Sequence, residues 1–407
     1  MGSSLRRALF AVLCVLQASC FSPRVAPISG SNFQPDSDER PLWSSAEKIH
    51  LYLERNGLLL EDPAAQAFIE EVADRLRTPF GLGENAVRLY IVRDPFLNAF
   101  ALPDGRIYLH TGILGRLTNR DQLAALLGHE MTHFTRRHSL REQRSEKNRL
   151  RVYQTAAALV ALAAAGFAGN PSIAEMILQL AGDYANDIVQ AQVAGFSRDL
   201  EREADRGGFD AMVAAGYDPH QSAELFRLLQ ETEDEAVKEP FFFGSHPLLQ
   251  ERIDNAEEFI HALNPATQQN AVDDRFQSVV ADIRLLNADL DLKLGRIQHA
   301  KQSIDRHLEF SPESAPGLFA LGEFHRRHDT GFGSAARAGE AYRAAISYDP
   351  EFAAAHRELG LLARTDGDCA EADSHLRRYV ELSPMARDRQ IVESFIGDCE
   401  PSPVGGA

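Results

Sequence analysis

The sequence has no excess of basic residues and no apolar run long enough to cross a bilayer. Lys and Arg number 42 against 59 Asp and Glu, a formal charge of -17. No basic stripe is therefore available to neutralise phosphates, which argues against a nucleic-acid partner. The apolar stretches Ala8 to Leu16 and Thr155 to Gly166 both fall short of the roughly 20 residues that a permanent span requires. What remains is an ordinary globular composition, 44% hydrophobic and 25% charged over 407 residues. That length is too great for one compact core and suits two domains behind a targeting segment.

Arg6 and Arg7 precede the first apolar stretch, and Ala18 and Ser19 follow it before Cys20. A positive start, a short apolar centre and a small-residue exit describe a signal peptide over residues 1–20. A cysteine directly after the exit resembles a bacterial lipobox, with Cys20 lipidated, although Gln17 stands where such motifs prefer Leu; ordinary cleavage nearby is the alternative. Residues 21–45, rich in Ser, Pro and Asn, read as a flexible tether to a membrane surface. Phe21 after Cys20 lacks the Asp of an inner-membrane retention signal, so the expected location is the periplasm, lipid-anchored to the outer membrane.

From 46 to 262 the pattern is mixed and mostly helical. Val87 to Val92 suits a buried strand. Phe100-Ala101-Leu102 and Arg106-Ile107-Tyr108-Leu109 flank the turn residues Pro103-Asp104-Gly105 as a hairpin. Thr118 with Asp121 marks the start of a helix carrying Leu123, Leu126, Leu127 and Met131. Thr155 to Gly166 reads as a buried or hairpin helix, or as a segment that dips into a membrane or covers substrate.

Residues 275–400 turn purely helical and repetitive. Pro350 and Pro384 stand 34 residues apart, the tetratricopeptide period. Gly295 precedes Pro312, and Gly367 precedes Pro384, by the same 17 residues, and Leu321-Gly322 matches Leu359-Gly360. A four-residue excess between the copies can sit in Asp329 to Ser334. Ala300, Ala338 and Ala372 fall where two helices must approach closely, with Ile304, Tyr342 and Leu376 one turn later. The pattern resembles tetratricopeptide repeats, with a degenerate copy from about Ala281, two clear copies and a closing helix near Ala386 to Ile396. Such stacks bind partners along extended surfaces. Cys369 and Cys399 lie fifteen residues either side of Pro384. Antiparallel helices hinged there would set them side by side as a disulfide; two separate buried thiols are the alternative.

The chemistry is carried by His129-Glu130-Met131-Thr132-His133. Histidines at i and i+4 share a helical face and can reach one ion, while Glu130 is placed to hold a metal-bound water. Catalytic zinc needs three protein ligands and an open position. Glu201-Arg202-Glu203-Ala204-Asp205 offers the third: Glu201 as ligand, with Asp205 one turn on, accepting a hydrogen bond from His129 and fixing its tautomer. His110 and His138 read as surface or structural residues, and Arg252 as pairing with an acidic structural partner or the oxyanion.

These motifs resemble the M48 zinc metallopeptidases over Asn98 to Arg252. The likeness runs through Asn98 to Pro103, Thr111 to Leu114, His129 to His133, Ser197-Arg198 through Asp205, and Ser245-His246-Pro247 with Arg252. It implies a mostly α metallopeptidase domain with a small β-sheet ahead of the all-α repeat domain. It also implies one Zn2+ per chain held by His129, His133 and Glu201, with Glu130 as acid/base. His246 is implied either as a reversible gate on the metal's open position or as oxyanion support; the bland alternative is a loop residue ahead of Pro247. The architecture as a whole looks like that of periplasmic members bearing C-terminal repeats. The expected activity is zinc-dependent endopeptidase action on misfolded or misassembled envelope proteins. An alternative is a chaperone or scaffold with little or latent proteolysis, docked through its repeats to an outer-membrane assembly machine. Metal storage is a third, weaker reading. Arg106 to Leu109 is expected to form a sheet edge on which an unfolded or extended polypeptide could add as a strand.

Overall fold

The structure, a computed structural model, describes residues 25–28, 30, 33–145, 196–233, 249–265, 272–328, 331 and 333–399. Cys20, Thr155 to Gly166 and His246 lie outside the described residues. The chain divides into two units, one of Met1–Ile113 and Leu117–Asp273, the other of Asp274–Ala407 with Leu114–Arg116.

In the first unit, α1 (Arg40–Arg55) and α2 (Pro63–Arg77) precede β1 (Arg88–Val92), β2 (Ala99–Ala101) and β3 (Arg106–His110). Then come α3 (Thr111–Arg116), whose last three residues fall in the other unit, α4 (Arg120–Thr135), α5 (Arg198–Ala214), α6 (His220–Glu233) and α7 (Leu249–Leu263). Local chemistry explains the helix starts. The Asp62 carboxylate accepts from the Ala64 and Ala65 N–H groups, each at 3.0 Å, and Pro63 opens α2, meeting donors that would otherwise be orphaned. Phe68, Ile69, Val72 and Leu76 then share one buried face, each contributing about 1.5–3 kcal/mol of apolar transfer. Helix α4 starts one residue later than expected. Asn119 is its N-cap, accepting from Gln122 N at 2.9 Å, while the Gln122 side chain accepts from Thr118 N at 2.8 Å, a variant of the capping box.

The sheet order is β1-β3-β2, with β1 parallel and β2 antiparallel to β3. This corrects the expected edge: Arg106, Ile107, Tyr108 and Leu109 lie on the central strand, buried, with both sides of their backbone occupied by neighbours. The edges are β1 and β2, and the outer side of β1 is partly covered by a bridge between Leu59 and Val92. On one face Tyr90, Tyr108 and Phe100 stand in register and stack, centroids 5.3 and 4.9 Å apart. His50 of α1 caps that row, with Nδ1 3.1 Å from the Tyr108 hydroxyl.

The expected tether is also revised. Helix α1 begins at Arg40, and several of the described residues before it are pinned: Ile28 N donates to Thr135 O at 2.7 Å, and Arg137 donates to the buried Glu39 carboxylate at 2.6 and 3.2 Å. Arg144 reaches Asp36 and Asp38 at 2.8 Å. Ser- and Pro-rich composition signals a lack of regular structure here, but these acids still find buried or half-buried arginines.

The second unit consists of helices α8 (Asp274–Lys293), α9 (Ile297–Phe310), α10 (Ala315–Arg327), α11 (Ser334–Tyr348), α12 (Ala353–Asp366), α13 (Cys369–Leu382) and α14 (Arg389–Phe395). Successive helices pair as tetratricopeptide-like hairpins. The first starts at Asp274, ahead of the expected Ala281. Ala300, Ala338 and Ala372 are buried at the close approaches, as are Ile304, Tyr342 and Leu376 one turn on. A Cβ on Gly322 would run into the Tyr342 ring, and one on Gly360 would stand 2.8 Å from the Leu376 side chain; small residues are required where these helices meet. Cys369 and Cys399 are disulfide-bonded, Cα to Cα 5.4 Å, tying the segment beyond α14 back to the start of α13.

A buried two-histidine, one-carboxylate centre

Helix α4 is buried on nearly every side, so its polar residues must find partners within the protein. It meets α5 where two glycines touch. A Cβ on Gly208 would stand 2.7 Å from His129 N, and one on Gly128 would stand 2.9 Å from Gly208 O. Only a contact without side chains brings the backbones this close. The crossing sets His129 and His133 of α4 against Glu201 and Asp205 of α5.

The Nε2 atoms of His129 and His133 are 2.9 Å apart. Glu201 lies 3.5 Å from the first and 3.4 Å from the second. These three side chains, all buried, are the one group of potential metal ligands among the described residues. Tetrahedral zinc with bonds of about 2.0–2.2 Å separates its ligand atoms by about 3.3 Å, and the observed spacings bracket that value. Two neutral imidazoles and one carboxylate in a water-poor pocket are also the donor chemistry zinc favours, so the residues fit the ion.

Outer partners set the tautomers. His129 Nδ1 has Asp205 Oδ1 at 2.9 Å and Arg252 Nη2 at 3.1 Å. The proton belongs on Nδ1, directed at Asp205, because Arg252 already donates to the same carboxylate through Nη2 at 2.6 Å and Nε at 3.0 Å. His129 Nε2 is then a bare lone pair facing the centre. Burial alone would raise the Asp205 pKa, but Arg252 and the His129 hydrogen bond outweigh it and bring it down to about 2. Burial likewise works against the Arg252 charge, and Asp205, Glu201 and Glu130 more than offset it. Arg252 also lies over the Phe226 ring at 4.3 Å. It therefore holds Asp205, the acidic partner among its two expected roles. Glu130 is buried beside the first ligand.

His138 is not a surface residue. It is fully buried, with Nδ1 2.9 Å from His133 Nδ1 and Nε2 3.6 Å from Glu203 Oε2. Burial lowers its pKa, against the opposing pull of Glu203. The Phe196 ring stacks on His133, centroids 4.1 Å apart. Sequence reasoning missed both neighbours; the only signal was a third histidine five residues after His133. His110 is buried and structural, 3.5 Å from Asp94 and edge-on to Phe100.

Two histidines one turn apart on a buried helix, completed by a carboxylate from a second helix, define the donor set of a zinc metallopeptidase. Residues 60–260, just under half of the chain, match Peptidase family M48. Among curated proteins, a Vibrio cholerae protein provisionally named a beta-barrel assembly-enhancing protease is 27% identical over 301 residues, 74% of this chain and 60% of the relative. The mitochondrial metalloendopeptidase OMA1 of Schizosaccharomyces pombe is 30% identical over 47% of this chain and 52% of its own length. The beta-barrel assembly-enhancing protease of Escherichia coli K12 is 24% identical over 53% and 43%. The chain thus spans between 43% and 60% of the length of these relatives.

Proposed function

We propose that this protein is a zinc-dependent endopeptidase of the cell envelope, cutting misfolded or misassembled envelope proteins, with its helical repeats docking substrate or a partner such as an outer-membrane assembly machine. The reading rests on three buried potential ligands, His129, His133 and Glu201, whose donor atoms lie within 4.8 Å of one another, with a buried carboxylate, Glu130, adjacent to the first. Zinc held by His129, His133 and Glu201 would polarise a scissile carbonyl and acidify a water. Glu130 takes the proton of the attacking water and returns it to the leaving amine. Asp205, clamped by Arg252, keeps the His129 lone pair aimed at the centre. An extended substrate would pair with the edge strand at Ala99–Ala101 rather than with β3, selecting unfolded chains by backbone.

Cys20 would carry the lipid that ties the protein to the outer membrane, and acyl labelling lost in Cys20→Ala would support this. Among the described residues no helix is long and apolar enough to cross a membrane. His246 is read as a gate over the metal's open position.

The test is metal analysis with casein cleavage. Glu130→Gln should keep its zinc and lose about 10²–10⁴-fold in cleavage, the usual contribution of a general base. Equal cleavage by both forms would end the reading. An envelope phenotype that survives Glu130→Gln would favour the scaffold alternative, which the partner-binding geometry of helical repeats supports. His246→Ala should raise cleavage if the residue gates the centre; a fall would assign it to the oxyanion.

A further inference from the structure

The hydrogen bonding behind the centre is asymmetric. His129 is backed by a carboxylate, but His133 is backed by another imidazole. A neutral imidazole that offers Nε2 to a metal carries its proton on Nδ1. His133 Nδ1 stands within hydrogen-bond distance of His138 Nδ1, at 2.9 Å. His133 must then donate and His138 must accept. The one remaining proton of His138 sits on Nε2, which faces Glu203 Oε2 at 3.6 Å. Glu203 is itself held by Arg141 Nη1 at 2.6 Å.

The backbone is shaped for this contact. Helix α4 ends at Thr135, and Arg137 adopts φ +54°, a left-handed conformation uncommon for a residue with a side chain. A continued helix would place position i+5 about 140° around the axis from His133; the reversal at Arg137 turns His138 back onto it. Arg137 is held there by the buried Glu39. Phe196 closes the pair, stacked on His133 and edge-on to His138 at 5.9 Å.

We infer that His138 is a positioning residue for the metal ligand His133, fixing its proton on Nδ1 and its ring orientation through a ligand–histidine–histidine hydrogen bond, with the Glu203 carboxylate 3.6 Å behind His138 as a weaker electrostatic support. The inference rests on the zinc reading above and extends it to residues that touch neither metal nor substrate. It gives the two histidine ligands backing of different charge, a carboxylate for His129 and a neutral ring for His133.

The experiment is chelator-competition titration of zinc into the full-length purified protein, alongside 15N-edited NMR of its imidazoles. His138→Ala should weaken zinc binding about 10–100-fold, the usual effect of losing such an outer partner. His138→Asn, whose side-chain oxygen can still accept from His133, should recover most of it, which filling a cavity alone would not do. Glu203→Gln, at a half-buried site, should weaken binding less. The zinc-loaded unaltered protein should show one imidazole N–H proton coupled across the hydrogen bond to a nitrogen of a second histidine. That signal depends on no variant and survives any folding defect in His138→Ala. An unaltered protein that binds no zinc refutes the zinc reading itself. One zinc per chain, with unchanged affinity in His138→Ala or no coupled imidazole pair, refutes this inference alone.

Discussion

Substituting Gly208 with Ala tests whether the helix crossing builds the centre. The added Cβ would lie 2.7 Å from His129 N and 2.9 Å from Gly128 C, both backbone atoms that cannot swing aside. Favourable carbon contacts begin near about 3.5 Å, so α4 and α5 must part locally by roughly 0.7 Å or more. A metal site tolerates about 0.2 Å in its ligand distances. Glu201 sits on α5 two turns before Gly208, and the separation falls between it and both histidines. Overpacking should cost about 1–3 kcal/mol in the metal-free protein. Zinc affinity should drop at least about tenfold, removing a further ~1.4 kcal/mol of zinc-linked stability at saturation. Melting curves with and without zinc separate these two effects: the metal-free Tm falls, and the shift on adding zinc shrinks as well. If Gly208→Ala keeps the unaltered zinc Kd, the glycine contact does not set the ligand spacing and the argument fails.

Other outcomes follow from named contacts. Asp205→Asn leaves the buried Arg252 without its carboxylate and should destabilise the first unit by about 3–5 kcal/mol in urea titration; a change under about 1 kcal/mol would mean the pair is not structurally required. Reducing Cys369–Cys399, which closes a sequence separation of 30, should cost the repeat unit about 3–4 kcal/mol on the chain-entropy account, seen as a lower denaturant midpoint; no effect of reductant would contradict the pairing. Burial would raise the Glu323 pKa, but hydrogen bonds from Arg326 and Tyr342 hold it below its ordinary 4.5. The folded chain therefore binds fewer protons there than the unfolded one. This stabilisation is complete above the unfolded value and is lost as pH falls through the folded one. Acidification should then lower the midpoint of the unaltered protein more steeply than that of Glu323→Gln, and parallel slopes would refute the assignment.

The residues that face the centre were legible because helical periodicity fixes them. Positions 129 and 133 share a face whatever surrounds the helix, as do 201 and 205. The repeat pattern was legible for the same reason: Gly322 with Tyr342 and Gly360 with Leu376 recur as packed pairs, the first wider by the four residues that sit in Asp329 to Ser334. Strand order was not. The run at Val87 to Val92 and the turn at Pro103 to Gly105 both announce strands, yet whether β1 joins β3 or lies apart depends on a parallel pairing with no local signature. The edge strands are therefore β1 and β2, and not β3. The His133–His138 contact was hidden for a related reason. It depends on a chain reversal at Arg137, and nothing in that residue's identity signals a positive φ; a buried ion pair with Glu39, 98 residues away, holds it there.

The account stands on one ion gripped by side chains from two helices. Elemental analysis of the purified protein after dialysis against metal-free buffer tests this most directly. The account predicts one zinc per chain in the unaltered protein and almost none in folded Glu201→Ala. A folded unaltered protein without stoichiometric zinc, or a Glu201→Ala variant that keeps its full complement, would contradict it.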